Sequence, residues 1–193
     1  MAAATGRSTS TAAGALRELT ALGLLASAAN RGPRSGRKLV DPEILLDSYA
    51  GAASRLRSAQ SLRIGVPWKH PLEVLEETGE RWDKAGFVWA ATGAMGAAVL
   101  APYLTEFGEG EVYVDVPSEA GLRVAAARVG LEPLEGGRLV LRPFPTATSR
   151  RRRTMEEGIW IAPWPRIYSD LQHVGVRGEE AAEHLRETVR KGP

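Results

Sequence analysis

The side chains whose types and spacing suit chemistry in this chain are arginines and small hydroxyls, and the chemistry they suit is recognition of phosphate. Arg7, Ser8, Thr9, Ser10 and Thr11 fall together just ahead of an apolar periodicity, and Arg17, Arg31, Arg34, Arg37 and Lys38 follow before residue 40. Short hydroxyls reach phosphate oxygens and base edges, while arginine adds a planar fork and a permanent charge. A second basic group is the run Arg150, Arg151, Arg152 and Arg153, directly after PTATS. Four successive residues share no face of a regular element and repel one another, so an extended loop is expected there. Such a loop suits a second phosphate contact, an acidic partner, or plain solvation.

Catalytic and metal-binding types are sparse. The chain has no cysteine, hence no disulfide framework and no thiolate site. Its three histidines are His70, His173 and His184. Glu180 and His184 lie one helical turn apart, but two ligands do not make a metal site, and within EEAAEHLRE a solvated, salt-bridged helix face is the stronger expectation. Asp115, in EVYVDV, stands where a metal-dependent nuclease keeps a carboxylate, without a lysine and second acid at a suitable spacing. A phosphate-cradling GxxxxGK[ST] loop, a dinucleotide GxGxxG after a strand, HExxH and a nucleophile elbow are all missing. No catalytic residue, cofactor or metal is therefore expected.

The N-terminal hydroxyls need a helix to present them. Ser10 or Thr11 suits its N-cap. Ala12, Ala15, Leu16, Leu19 and Leu22 then recur every three or four residues as one apolar stripe. Gly23 ends the helix, and Leu24 can fold back onto its last turn. Leu24 to Ala28 and Arg37 to Val40 read as a strand pair around the polar, glycine- and proline-rich turn Asn30 to Gly36. Helix, glycine stop and basic hairpin, in that order, make the back half of a winged helix-turn-helix, whose recognition helix enters the major groove by its N-terminal end. The hairpin as wing sets Arg31, Arg34, Arg37 and Lys38 beside the phosphate backbone, and double-stranded operator DNA is the expected partner. Met1 to Gly6 supply only the end of the positioning helix that such a motif needs. The motif is therefore expected to be partial, either because the true start lies upstream of Met1 or because the domain is trimmed. Its apolar stripe then lacks a covering layer, which points to a labile N-terminal domain or a homodimer.

Composition agrees with this division. In 193 residues with 44% hydrophobic content there is room for two small domains with cores, and the formal net charge is only +2. Residues 1–40 nevertheless carry Arg7, Arg17, Arg31, Arg34, Arg37 and Lys38 against Glu18 alone, so the remainder is mildly acidic. A basic head on an acidic body suggests that the head meets a polyanion. No run of 18 apolar residues and no signal-peptide pattern is present, so a cytoplasmic protein with no membrane contact is expected.

Asp41-Pro42-Glu43 opens a further helix that closes the first domain near residue 57, with the junction at 58–61. Beyond it, strands are expected at Leu62–Pro67, Phe87–Ala91, Glu111–Val116 and Ile159–Ala162. Helices are expected at His70–Asp83, Ala94–Leu100, Pro117–Val129, Pro165–His173 and Gly178–Lys191. Leu131–Leu134 and Leu139–Phe144 look like the two arms of a hairpin across Glu135-Gly136-Gly137-Arg138. The fold class is thus α+β: a partial winged helix-turn-helix over residues 1–57, then a mixed α/β domain over 62–193. All five tryptophans (Trp68, Trp82, Trp89, Trp160, Trp164) fall in the second domain, mostly as core, with Trp160 and Trp164 suited to a partner interface.

Four segments carry a resemblance. They are WAATGAMGAAVLAPYL at Trp89–Leu104, VYVDVP at Val112–Pro117, APWPRIYSDL at Ala162–Leu171 and GVRGEEAAEHLR at Gly175–Arg186. In this order, behind a winged helix, they resemble the AbiEi-type antitoxins of type IV toxin–antitoxin systems, over nearly the whole chain. The resemblance implies an N-terminal winged helix that binds operator DNA and represses its own operon. It also implies a non-enzymatic C-terminal domain that counteracts a nucleotidyltransferase-like toxin, with or without direct contact. The Arg150–Arg153 run and the short N-terminus depart from the family pattern. Two alternatives stand beside it: a stand-alone winged-helix regulator with a dimerisation or sensing domain, and a DNA-acting nuclease anchored by a winged helix.

Overall fold

The computed structural model describes residues 6–27, 36–55, 59–104, 106 and 108–192, and divides the chain into two units, Met1–Tyr49 and Ala50–Pro193. In the first unit, helix α1 (Thr9–Ala21) is capped by Ser8, whose Oγ accepts the Thr11 amide at 3.2 Å. The cap thus lies ahead of Ser10 and Thr11, where the sequence placed it. The hydroxyl that meets the free amides is that of the last extended residue, and Ser8 is extended (φ −64°, ψ 155°). At the other end Gly23 takes φ +73°, its amide donates to the Thr20 carbonyl at 3.0 Å, and the Leu24 amide reaches back to Leu19 at 2.9 Å. This paired closure satisfies carbonyls the helix leaves open and buries Leu24, as the glycine stop implied.

Strands β1 (Leu25–Ser27) and β2 (Arg37–Leu39) then pair antiparallel, Leu25 opposite Leu39 and Ser27 opposite Arg37. Asp41 Oδ1 accepts the Glu43 amide at 2.7 Å and starts α2 (Pro42–Arg55), with proline in the first turn, where it forfeits no hydrogen bond.

The second unit is a mixed α+β structure around a seven-stranded sheet. Its strands are β3 (Leu62–Gly65), β4 (Trp89–Thr92), β5 (Gly110–Val114), β6 (Glu132–Pro133), β7 (Leu139–Pro143), β8 (Thr154–Glu156) and β9 (Ile159–Ile161), in the order β6-β3-β7-β5-β4-β9-β8. The β5/β7 and β4/β9 pairs are parallel and the others antiparallel. The helices are α3 (Pro71–Lys84), α4 (Gly93–Leu100), α5 (Glu119–Arg128), α6 (Ala147–Arg151), α7 (Trp164–Leu171) and α8 (Val176–Lys191). Among the described residues no helix is long and apolar enough to cross a membrane.

Two local expectations are corrected. Leu131–Leu134 and Leu139–Phe144 are not arms of one hairpin, because β3 lies between β6 and β7 and pairs with both. The connecting turn crosses β3 so closely that a Cβ on Gly137 would lie 2.3 Å from the Ile64 carbonyl oxygen. Arg63 Nη1 donates to the Gly137 carbonyl at 3.0 Å and fixes the crossing. Nor is the arginine run an extended loop. Thr146 Oγ1 accepts the Ser149 amide at 3.0 Å and caps the short helix α6, which takes in Arg150 and Arg151. Repulsion is relieved because Arg150 and Arg153 each find a separate partner, as set out below.

Register divides the central strands into two faces. Trp89 and Ala91 of β4 stand opposite Val114 and Val112 of β5, and this apolar face meets α3 and α5. Trp89 lies against Trp82 (centroids 5.9 Å apart) and over Gly79, where a Cβ would come within 2.0 Å of its ring. The Trp82 indole donates to the Ala125 carbonyl of α5 at 3.0 Å. Thr92, Glu111, Tyr113 and Arg142 fall on the other face, which meets α7.

Candidate nucleic-acid interface

In the first unit, the turn that opens α1 is polar and solvent-facing: Arg7, Ser8, Thr9, Ser10 and Thr11 are all exposed. Ser8 Oγ lies 3.0 Å from Ser10 Oγ and 2.8 Å from Thr11 Oγ1, so the hydroxyls form one connected group around the cap. This end of the helix is also the positive end of its dipole, with no acidic side chain in the first turn. Arg17, farther along α1, is exposed too. Of the apolar stripe only Ala12 is buried; Leu16 and Leu19 are half-buried, and Ala15 and Leu22 are exposed.

The hairpin carries Arg37 and Lys38, both exposed, on β2. Arg37 is not free to swing. Its Nε donates to Thr20 Oγ1 at 3.1 Å, and the Thr20 hydroxyl donates to the Leu16 carbonyl at 2.7 Å. The structure therefore joins Arg37 to the C-terminal half of α1 and not to its hydroxyl-rich start. Arg31 and Arg34 lie outside the described residues.

The second arginine group is spread over several partners. Arg150 Nη1 donates to Asp115 Oδ2 at 2.6 Å, so the carboxylate considered above as a nuclease ligand sits in an ion pair. The Arg153 guanidinium lies over the Trp160 ring, 4.3 Å from its centroid, and donates to the Arg150 carbonyl at 3.1 Å. Arg151 and Arg152 are exposed. The His184 ring stacks on Tyr103 (centroids 4.9 Å apart), while the exposed Glu180 stands a turn away. Among the described residues no group of three His, Cys, Asp or Glu side chains could hold a metal ion.

One constellation escaped the sequence reading. EVYVDV alternates, and each of its polar side chains meets an arginine: Glu111 with Arg142 at 3.1 Å, Tyr113 with Arg166 at 3.0 Å, and Asp115 with Arg150. At the centre lies the fully buried Asp170. Its Oδ2 accepts from Thr92 Oγ1 and Tyr113 Oη, both at 2.6 Å, and its Oδ1 accepts from Arg166 Nη2 at 2.6 Å. Burial, with the Asp170 charge beside it, holds the Tyr113 hydroxyl well above the usual tyrosine range and so keeps it a proton donor. Burial alone would favour a neutral Arg166, but Asp170 and Tyr113 together outweigh that and the guanidinium is held more firmly charged. With both Asp170 oxygens satisfied, this cluster is a tie between helix and sheet. Arg166 and Asp170 both belong to the APWPRIYSDL segment. Their spacing of one turn was the available signal, and burial is what turns it into a tie.

No family model matches this chain, and no curated protein or solved structure matches it either.

Proposed function

We propose that the chain is a sequence-specific DNA-binding transcriptional autorepressor of the antitoxin type. In this reading the first unit supplies the recognition helix and wing of a winged helix-turn-helix, and the second counteracts a nucleotidyltransferase-like toxin. The observation that carries the DNA-binding part is the order of parts in the first unit. A capped helix with a wholly exposed, hydroxyl-rich start is followed, past one glycine, by a two-stranded ribbon bearing exposed Arg37 and Lys38. Phosphate contacts from the ribbon and base contacts from the helix start are the division of labour such a motif uses. The antitoxin part rests on the resemblance of the four segments named above, and the chain acts by binding rather than by catalysis.

The test is fluorescence anisotropy with the DNA upstream of the chain's own reading frame and a shuffled duplex of equal length. The reading expects about 10³-fold or greater preference for the operator at physiological salt. Equal affinity for both duplexes would sink it. Co-expression with a neighbouring nucleotidyltransferase-like reading frame then separates the roles. Growth rescue marks an antitoxin, whereas operator preference without rescue marks a stand-alone regulator.

A further inference from the structure

The second unit holds a pocket of about 590 Å³ lined by Trp68, Lys69, Glu106, Arg138 and Arg177, well away in sequence from α1. Three of these side chains are cations and one is a carboxylate. Lys69, Arg138 and Arg177 are all exposed, and none of the three forms an ion pair among the described residues. Two helices begin at its rim. Pro71 and Arg177 lie in the first turns of α3 and α8, and neither His70 nor Gly175 supplies a side-chain cap there. Each of these first turns also holds a glutamate, Glu73 and Glu179, so the positive character of the pocket rests on Lys69, Arg138 and Arg177 themselves. The Trp68 ring is close against the start of β5, where a Cβ on Gly110 would lie 3.1 Å from it. It is only half-buried and offers its remaining surface to the pocket. Excess positive charge calls for a polyanion, and a fixed indole calls for a flat ring. The volume lies within the range of about 300–1,000 Å³ common to small-molecule sites.

We propose that this pocket binds a nucleoside polyphosphate, its phosphates on Arg138, Arg177 and Lys69 and its base against Trp68. The proposal stands independently of the DNA-binding reading, since no residue of the first unit takes part. Isothermal titration calorimetry of the full chain with ATP and GTP tests it, with inorganic triphosphate and adenosine as the two halves of the ligand. Saturable one-to-one binding of at least one nucleotide, tighter than either half, is the expected result. Arg138→Ala and Arg177→Ala should each weaken it by about tenfold, the value of one charge-assisted contact. Both side chains are exposed, so an unchanged melting temperature is the accompanying control, and Lys69→Gln provides a third variant. The Trp68 indole N–H resonance, assigned by its loss in Trp68→Phe, should move on titration. Absence of saturable binding, or unchanged affinity in the double arginine variant, would overturn the site. Triphosphate binding as tightly as the nucleotides would overturn the role of Trp68. A short single-stranded oligonucleotide binding more tightly than either nucleotide would overturn the assignment to a small ligand.

Discussion

The Arg166 guanidinium and the Asp170 carboxylate, one turn apart on α7, meet at 2.6 Å with 3% and 0% of their side-chain surfaces open to water. Neither charge has a solvent alternative, so each depends on the other and on the hydroxyls of Thr92 and Tyr113. Truncating one partner leaves the other buried and unpaired, at a cost of about 3–5 kcal/mol. Arg166→Met and Asp170→Leu should each lower the urea midpoint sharply, and the double variant should recover part of the loss. A double variant as unstable as the sum of the singles would mean that the pair contributes no coupling.

Tyr113 gives the same cluster an alkaline limit. Its pKa is raised in the fold above the ordinary value of 10.0. The raised value means that folding favours the protonated phenol. Its contribution is complete below pH 10 and is lost as the pH climbs toward the folded value. Thermal melts between pH 8 and 12 should fall more steeply for the natural chain than for Tyr113→Phe. In ultraviolet titration the natural chain should show a high-pH ionisation that Tyr113→Phe lacks.

The cap at Ser8 separates two effects on α1. Ser8→Ala removes the bond to the Thr11 amide and should cost about 1 kcal/mol of stability. Ser10→Ala spares that bond and should instead cost about 1–3 kcal/mol of discrimination at each base the hydroxyl reads. Circular dichroism melts measure the first and competition between operator and shuffled duplex measures the second. Equal weakening on both duplexes in Ser10→Ala, with melting unchanged, would remove this residue from base reading.

Arg37 is held by Thr20, so its place against a phosphate backbone depends on both residues. Arg37→Ala should lower the slope of log K against log salt by about 0.9 if it neutralises one phosphate. Thr20→Val keeps the charge but removes the tether, and should leave the slope nearly intact while weakening binding. Titrations at several ionic strengths distinguish the two, and an unchanged slope in Arg37→Ala would take the ribbon off the backbone.

The features read correctly from sequence are local ones. Gly23 needs only its own φ, and Asp41 caps α2 through amides two and three residues on. What escaped depends on residues far apart. Thr92 and Asp170 are 78 positions apart, and nothing in EVYVDV says that its polar side chains face a helix rather than water. Likewise the insertion of β3 between β6 and β7 competes with a plausible local hairpin. Only the backbone approach at Gly137 reveals why the longer-range pairing prevails. The arginine run misled for a related reason: repulsion was judged within the run, whereas Asp115 and Trp160 lie 35 and seven residues from their partners. At the candidate interface, residue types and their order were legible, but the tether from Thr20 to Arg37 was not.

The ends of the sheet also bear on behaviour at high concentration. The outermost strand on one side is β6, two residues long and ending in Pro133, which has no amide hydrogen to offer a neighbouring chain. On the other side β8 is three residues long and follows closely on Arg151 and Arg152, both exposed. An approaching strand thus meets a missing donor at one border and, at the other, a very short strand bearing the exposed charge of Glu156, which is how natural sheets discourage edge-to-edge aggregation.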